Sequence, residues 1–285
     1  MEGSIGCQLN AWQRELDLRT PAWEKLDAAL AQLARAGYAG VEVPGWSVPD
    51  LGEPAKLRNL CAHHGVTLIA LHVGGPFFDD VAYREQTLPR VLPVAQCAAG
   101  AGAVGLVVSN ASMKPRLASF GTPEGRTSEA WRAQVRNLGD LARRLRDLGL
   151  RAYFHNHYQQ FEHNGWEMES VLAADPTVVE LCVDVGHAAQ AMAQPALLEW
   201  LAAHWERIGV LHYKDIDREG QIVEALGDGT VDFAAISRLA RERGCSGWIV
   251  AELETEHGRP PVRTAFEDAR RSSALIARTL QEGSE

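Results

Sequence analysis

The chain has 285 residues, 28 lysines and arginines against 37 aspartates and glutamates, and a formal net charge of −9; 46% of it is hydrophobic and 23% charged. Such a composition buries a large core and excludes disordered and fibrous classes. The acidic balance argues against nucleic-acid or anionic-membrane partners, which demand a basic surface to release counterions or meet headgroups, and leaves small molecules as the expected ligands.

The opening MEGSIGCQLNAWQRELD has no basic stretch followed by an apolar one, and no run reaches the ~18 apolar residues of a membrane span. We therefore expect no targeting signal, no membrane span and a cytoplasmic protein. Eight short runs rich in Val, Ile and Leu then alternate with longer segments of helical period: Ile5–Trp12, Ala39–Pro44, Val66–Val73, Ala103–Ser109, Leu150–His157, Val178–Val185, Ile208–Lys214 and Gly247–Leu253. After the first run, Thr20–Pro21 reads as the N-cap and first-turn pair of a helix over Trp23–Ala36, with Gly37 just past its end. Gly65, Gly149 and Gly244 close the helices before the third, fifth and eighth runs in the same way. The segment Met113–Thr127 reads as an extended loop after the fourth strand.

Starts of successive runs lie 27 to 47 residues apart, room for a strand, a crossover helix and two loops. Runs apolar on both faces and separated by helices mean a parallel sheet covered by helices. Eight of them predict closure into one α/β domain, a (β/α)8 TIM barrel over residues 1–285. An open doubly wound sheet fits less well, because the turn after the first run reads NAWQREL where a Gly-rich phosphate turn would stand. Cys7, Cys61, Cys97, Cys182 and Cys245 are odd in number and scattered, without a CxxC pair, as buried or free thiols of a reducing compartment would be.

Active sites of such barrels lie at the carboxyl ends of the strands. The fifth run ends in Phe154-His155-Asn156-His157, the sixth in Val183-Asp184-Val185-Gly186-His187, the seventh in Leu211-His212-Tyr213-Lys214-Asp215 and the eighth in Ala251-Glu252-Leu253-Glu254. A single histidine or aspartate at a strand end is ordinarily a capping or packing residue; their joint occurrence at four successive ends is what points to ligands. Burying these groups together without a counterion is costly, and a divalent cation relieves the cost. The mixed imidazole and carboxylate set suits Mn²⁺, the first choice, or Zn²⁺, Co²⁺ or Fe²⁺ better than Mg²⁺.

CVDVGH, LHYKD, LGDGTVDF and GWIVAELE, in that order, with the opening IGCQLNAW and the GYAGVEV of the second run, resemble the xylose-isomerase-like TIM-barrel superfamily over essentially the whole chain. That group comprises sugar (phosphate) isomerases and epimerases together with inosose dehydratases, hydroxypyruvate isomerases and AP endonucleases. The resemblance implies a single-metal site of Glu, Asp, His and Glu from strands five to eight. Asp184, His212 and Glu252 take the last three places, whereas the first falls on His155, so the remaining ligand is either His155 or Glu162, seven residues on. His187 matches a position that touches substrate or a further metal.

Lys214 shares its side of the strand with His212 and is placed to hold a substrate oxygen, the competing reading being a surface salt bridge to Asp215 or Asp217. His157, of the same parity as His155, is the better proton-transfer candidate. Trp12, Glu42, His72 and Asn110 line the pocket or pack its rim. The loop Leu226–Gly229 exposes backbone N–H groups but carries an acid and no basic partner, a weak phosphate site.

The expected activity is that of a metal-dependent isomerase or epimerase, acting on a ketose or polyol-derived ketone by proton abstraction through an enediolate. Glu252, with Glu162 or His157, carries the proton, and Lys214 and His187 contact the oxyanion and hydroxyls. The alternative is an inosose dehydratase-like lyase, which the His-x-His at strand five favours. AP endonuclease-like DNA repair is more distant, given the −9 charge and one ligand set. A small sugar or polyol is the expected partner, and the sequence leaves room for a homo-oligomer.

Overall fold

The structure, a computed structural model, describes residues 4–110, 128–254 and 261–282. Its strands are β1 Ser4–Gln8, β2 Gly40–Pro44, β3 Thr67–Gly75, β4 Gly105–Asn110, β5 Arg151–His155, β6 Val179–Asp184, β7 Ile208–Tyr213 and β8 Trp248–Ala251. All pair in parallel in chain order, and β1 against β8, with Ile5 opposite Ile249, closes the barrel. A helix returns the chain after each strand: α1 Trp23–Arg35, α2 Pro54–His63, α3 Leu88–Ala101, α4 Glu129–Asp147, α5 Tyr158–Ala173, α6 Gln194–Ala203, α7 Phe233–Glu242 and α8 Ala265–Gln281. The (β/α)8 barrel expected from the eight apolar runs is the fold observed. No helix among the described residues is long and apolar enough to cross a membrane.

The glycine punctuation acts as expected. Gly149, with φ of 79°, donates its N–H to Arg146 O at 2.9 Å, and Leu150 N–H reaches Leu145 O at 2.9 Å, the paired bonds that satisfy the last carbonyls of α4 and turn the chain into β5. The same two bonds recur at Gly37, Gly65 and Gly244, and also at Gly102 before β4.

The start of α1 departs from expectation. Ala22 is its N-cap and Thr20 makes no cap, because residues 17–20 form a turn around Lys25. The Lys25 ammonium donates to Asp17 O at 3.0 Å, Asp17 Oδ2 at 3.1 Å and Thr20 O at 2.9 Å, which holds the turn outside the helix. The segment Met113–Thr127 lies outside the described residues.

Strand parity determines where the chemistry sits. Ala70, Val107, Tyr153, Cys182, Val210 and Val250 belong to one buried apolar cluster, separate from the larger shell between sheet and helices. Side chains two residues apart on a strand share a face. Hence His72, Ser109, His155, Asp184, His212 and Glu252 stand directly above that apolar layer, at the carboxyl end of the barrel, where cross-strand pairing sets Asp184 opposite His212.

Candidate active site

Four of the expected ligands meet. His155, Asp184, His212 and Glu252 are buried, and each offers a ligand atom within 4.8 Å of the others. His155 closes β5, its Nε2 lying 3.1 Å from Glu252 Oε2 and 3.7 Å from Asp184 Oδ2. Asp184 ends β6 and caps the short helix Val185–Ala191, Oδ1 accepting the His187 N–H at 2.8 Å. Its backbone is clamped by Asn156, whose amide donates to Asp184 O and accepts from Asp184 N, both at 3.0 Å. The His212 ring stands between Glu252 Oε2 on Nδ1 at 2.6 Å and Glu42 Oε2 on Nε2 at 2.8 Å. Glu252 continues the β8 ladder by donating its N–H to Tyr213 O at 2.9 Å.

Glu162 lies in α5, half-buried, and does not join this group, so of the two residues considered for strand five the structure brings in His155. His157 is the N-cap residue of α5, its ring 5.1 Å from those of both His155 and His187.

Lys214 overturns its surface reading. It is buried just past β7, with Nζ donating to Glu252 Oε1 at 3.1 Å and Glu254 Oε2 at 2.9 Å and lying 3.6 Å from Asp184 Oδ2. Gly186 makes this possible, since a Cβ there would come within 2.5 Å of Lys214 O. Asp215 looks the other way, its carboxylate accepting N–H groups from Ile216, Gly227, Gly229 and Val231. Those bonds consume the glycine amides of the Leu226–Gly229 loop, which removes it as a phosphate site. His187 is fixed by its partners: Nδ1 faces Gln190 Oε1 at 2.8 Å, which makes it the protonated nitrogen, and Nε2 faces Lys214 Nζ at 3.2 Å.

Burial opposes charge on every group here, and neighbours decide the outcome. Lys214 and His155 outweigh burial at Glu252 and hold its carboxyl well below the ordinary range. Glu252, Glu254 and Asp184 hold Lys214 protonated, well above the ordinary lysine range. Against its burial, His187, Lys214 and His155 bring Asp184 down to about 2. For His157 burial and the surrounding His155, His187 and Lys214 act together, and its ring is neutral.

The pocket residues divide. Trp12 is wholly buried, with Nε1 donating to Gln32 Oε1 of α1 at 2.9 Å, so it is a packing residue. Asn110 lies in a buried network, donating to Gln134 Oε1 and Glu167 Oε1. Glu42 supports the site through His212 and through Gln8, which donates to it at 2.6 Å. His72 lines a cavity of about 1120 Å³ over the carboxyl ends of β1–β4, together with Ser109, Glu254, Asn10, Trp46 and three arginines. Sequence reasoning passed over Gln8, Asn10, Asn156 and Trp46, each ordinary by itself; the one available signal was Glu254, two residues after Glu252 and therefore on the same side.

The donor set fits a divalent cation. Asp184 Oδ2 and His155 Nδ1 are buried without a hydrogen-bond partner, a state costing ~1–3 kcal/mol apiece. Imidazole nitrogen with carboxylate oxygen suits Mn²⁺, Fe²⁺, Co²⁺ or Zn²⁺.

Residues 30–276 match the xylose isomerase-like TIM barrel family. Among curated proteins, the chain is 28% identical over 261 residues to the rhizopine catabolism protein MocC of Rhizobium meliloti, covering 81% of this chain and 75% of that one. It is 26% identical to the inosose dehydratase of Bacillus licheniformis, covering 94% and 91%. Solved structures of similar fold include D-allulose 3-epimerase from Methylomonas sp., with a TM-score of 0.76, 16% identity and coverage of 97% and 98%. Another is 3-keto-D-glucoside 4-epimerase from E. coli, with a TM-score of 0.68, 19% identity and coverage of 98% and 100%.

Proposed function

The chain belongs to the xylose isomerase-like TIM-barrel family, and on that footing we propose that it is a divalent-metal-dependent enzyme that withdraws a proton next to the carbonyl of a ketose or polyol-derived ketone. The observation that carries this reading is the buried convergence of His155, Asp184, His212 and Glu252 beside Lys214, next to a cavity large enough for a sugar. His155, Asp184, His212 and Glu252 would hold the cation, with Mn²⁺ first, and it would polarise the carbonyl and acidify the neighbouring C–H.

The remaining work falls to the chain's own groups. Glu252, kept ionised, is the base. Lys214, kept protonated 3.1 Å from Glu252 Oε1, holds a substrate oxygen and stabilises the negative charge that develops on it. His187, fixed by Gln190, presents Nε2 to the Lys214 ammonium, and the neutral His157 ring is a second acceptor.

Lys214 Nζ lies 3.1 Å from Glu252 Oε1, so the base and its nearest proton donor stand together on one side of the site. One-sided transfer serves loss of a β-hydroxyl as water and aldose–ketose isomerisation; epimerisation needs delivery to the opposite face. Between the first two, a protonated lysine beside the base favours dehydration, because its ammonium can hydrogen-bond the departing hydroxyl and offset the negative charge that develops there. The curated relatives point the same way, since inosose dehydratases are 24–26% identical to this chain. Dehydration of an inosose-like ketone is therefore our first reading, and isomerisation of a ketose the second.

Incubation with inososes, simple ketoses and keto-polyols bearing a carboxylate or phosphate, with and without chelator, tests it. Loss of one water by mass, abolished by chelator, is the expected result; an isomer without water loss replaces the first reading by the second, and no conversion of any ketone by the metal-loaded protein overturns both.

A further inference from the structure

The outer wall of the cavity is basic in a chain of net charge −9. Arg14 from the turn after β1, Arg19 from the segment before α1 and Arg90 from α3 all line it and are all exposed. Among the described lining residues the single acid is Glu254, and its carboxylate is already taken by Lys214 at 2.9 Å and Asn10 at 3.2 Å. Arg19 and Arg90 are held in place. The Arg19 guanidinium lies over the half-exposed Trp46 ring, 5.5 Å from its centroid. Arg90 donates one Nη1 bond to Gly74 O at 3.3 Å.

We infer that the substrate is an anionic keto-polyol, bearing a carboxylate or a phosphate that Arg19 and Arg90 receive, with Arg14 beside them, while its carbonyl end reaches the group around Glu252. The inference rests on reading this cavity as the keto-polyol site. A cleft lined by one sign of charge concentrates ligands of the other sign, and the arginine fork matches the two oxygens of a carboxylate or phosphate. Trp46 offers the apolar face on which the C–H side of a polyol chain or ring packs.

The test uses six-carbon polyols with no carbonyl, which cannot be turned over: sorbitol, gluconate and sorbitol 6-phosphate, titrated calorimetrically into the whole protein at low salt. The charged probes should bind at least about tenfold more tightly than sorbitol, the gain expected of charge-assisted bonds to arginine. A stronger response to gluconate assigns a carboxylate; a stronger response to sorbitol 6-phosphate assigns a phosphate. Arg19→Met with Arg90→Met, both exposed positions, should abolish the preference, the affinity for gluconate and sorbitol 6-phosphate falling to that for sorbitol in the same folded variant. Equal binding of all three probes, or a preference that survives in the double variant, overturns the inference. Because binding is read without turnover, the result stands apart from the proposed reaction: anion preference without conversion of any ketone sinks only the reaction, and conversion of neutral ketones without anion preference sinks only this inference.

Discussion

Replacing Lys214 by methionine removes a cation of similar length from beside two buried carboxylates while keeping the stem that packs there. The ammonium lies 3.1 Å from Glu252 Oε1 and 3.6 Å from Asp184 Oδ2, all three side chains being at most 5% exposed. At an effective dielectric constant of about 20, each such pair is worth ~4 kcal/mol of gross attraction at about 4 Å. Relief of the lysine's own desolvation offsets part of that, and breaking a buried pair from one side nets about 3–5 kcal/mol. The bridge to Glu254 adds little, since that carboxylate is 37% exposed. We expect Lys214→Met to lose about 3–5 kcal/mol in urea unfolding with chelator present. Saturating Mn²⁺ should restore most of the loss, because two carboxylates freed of an ammonium attract a dication more strongly. A chelated variant within about 1 kcal/mol of wild type, or a loss that Mn²⁺ leaves untouched, would refute the electrostatic reasoning.

Asp215→Asn turns one acceptor oxygen into a donor facing two backbone N–H groups, since Oδ1 serves Ile216 and Val231 while Oδ2 serves Gly227 and Gly229. The expected loss is ~2–4 kcal/mol by urea unfolding, and one below about 0.5 would show that the loop is held by other contacts. Gly149→Ala places a Cβ in open space at φ of 79°, so its cost is conformational alone, ~1–2 kcal/mol, and a neutral result would contradict the assigned turn. The chelated protein should lose stability toward alkaline pH. Burial disfavours the charge on His212, but Cys182, Glu42 and Glu252 raise it well above the ordinary histidine range, so its contribution is complete below about pH 6.5 and fades as pH climbs through the raised value. Against its burial, Glu42 is lowered by His212 and His72, and its contribution survives until pH falls below about 4. Urea midpoints that stay level or rise between about pH 6.5 and about pH 9 would contradict this assignment.

Much of this architecture was legible because parity and punctuation are local. His155, Asp184, His212 and Glu252 share the inward parity of Tyr153, Cys182, Val210 and Val250, so an apolar layer with ligand-type residues two positions on is written directly in the sequence. Gly149 and its counterparts likewise announce helix ends, because a positive φ needs glycine wherever the helix stops. What escaped depends on distance in the chain. Nothing near Thr20 shows that Lys25 captures the carbonyls of the preceding turn and delays the helix. LHYKD puts Lys214 on the inward side with His212, but shows neither that its partner is Glu252 nor that its neighbour Asp215 anchors the Leu226–Gly229 loop. Glu162 looked attractive by charge alone; the helical start at Tyr158 carries it away from the strand end.

The account depends on one dication held by His155, Asp184, His212 and Glu252, and calorimetric titration of Mn²⁺ into chelator-treated protein tests that most directly. It predicts one ion per chain, with protons released as the imidazoles give up theirs, and no saturable binding in Glu252→Gln or Asp184→Asn. Undiminished conversion of substrate by a protein that takes up no metal, or the same Mn²⁺ stoichiometry in those variants as in wild type, would contradict it.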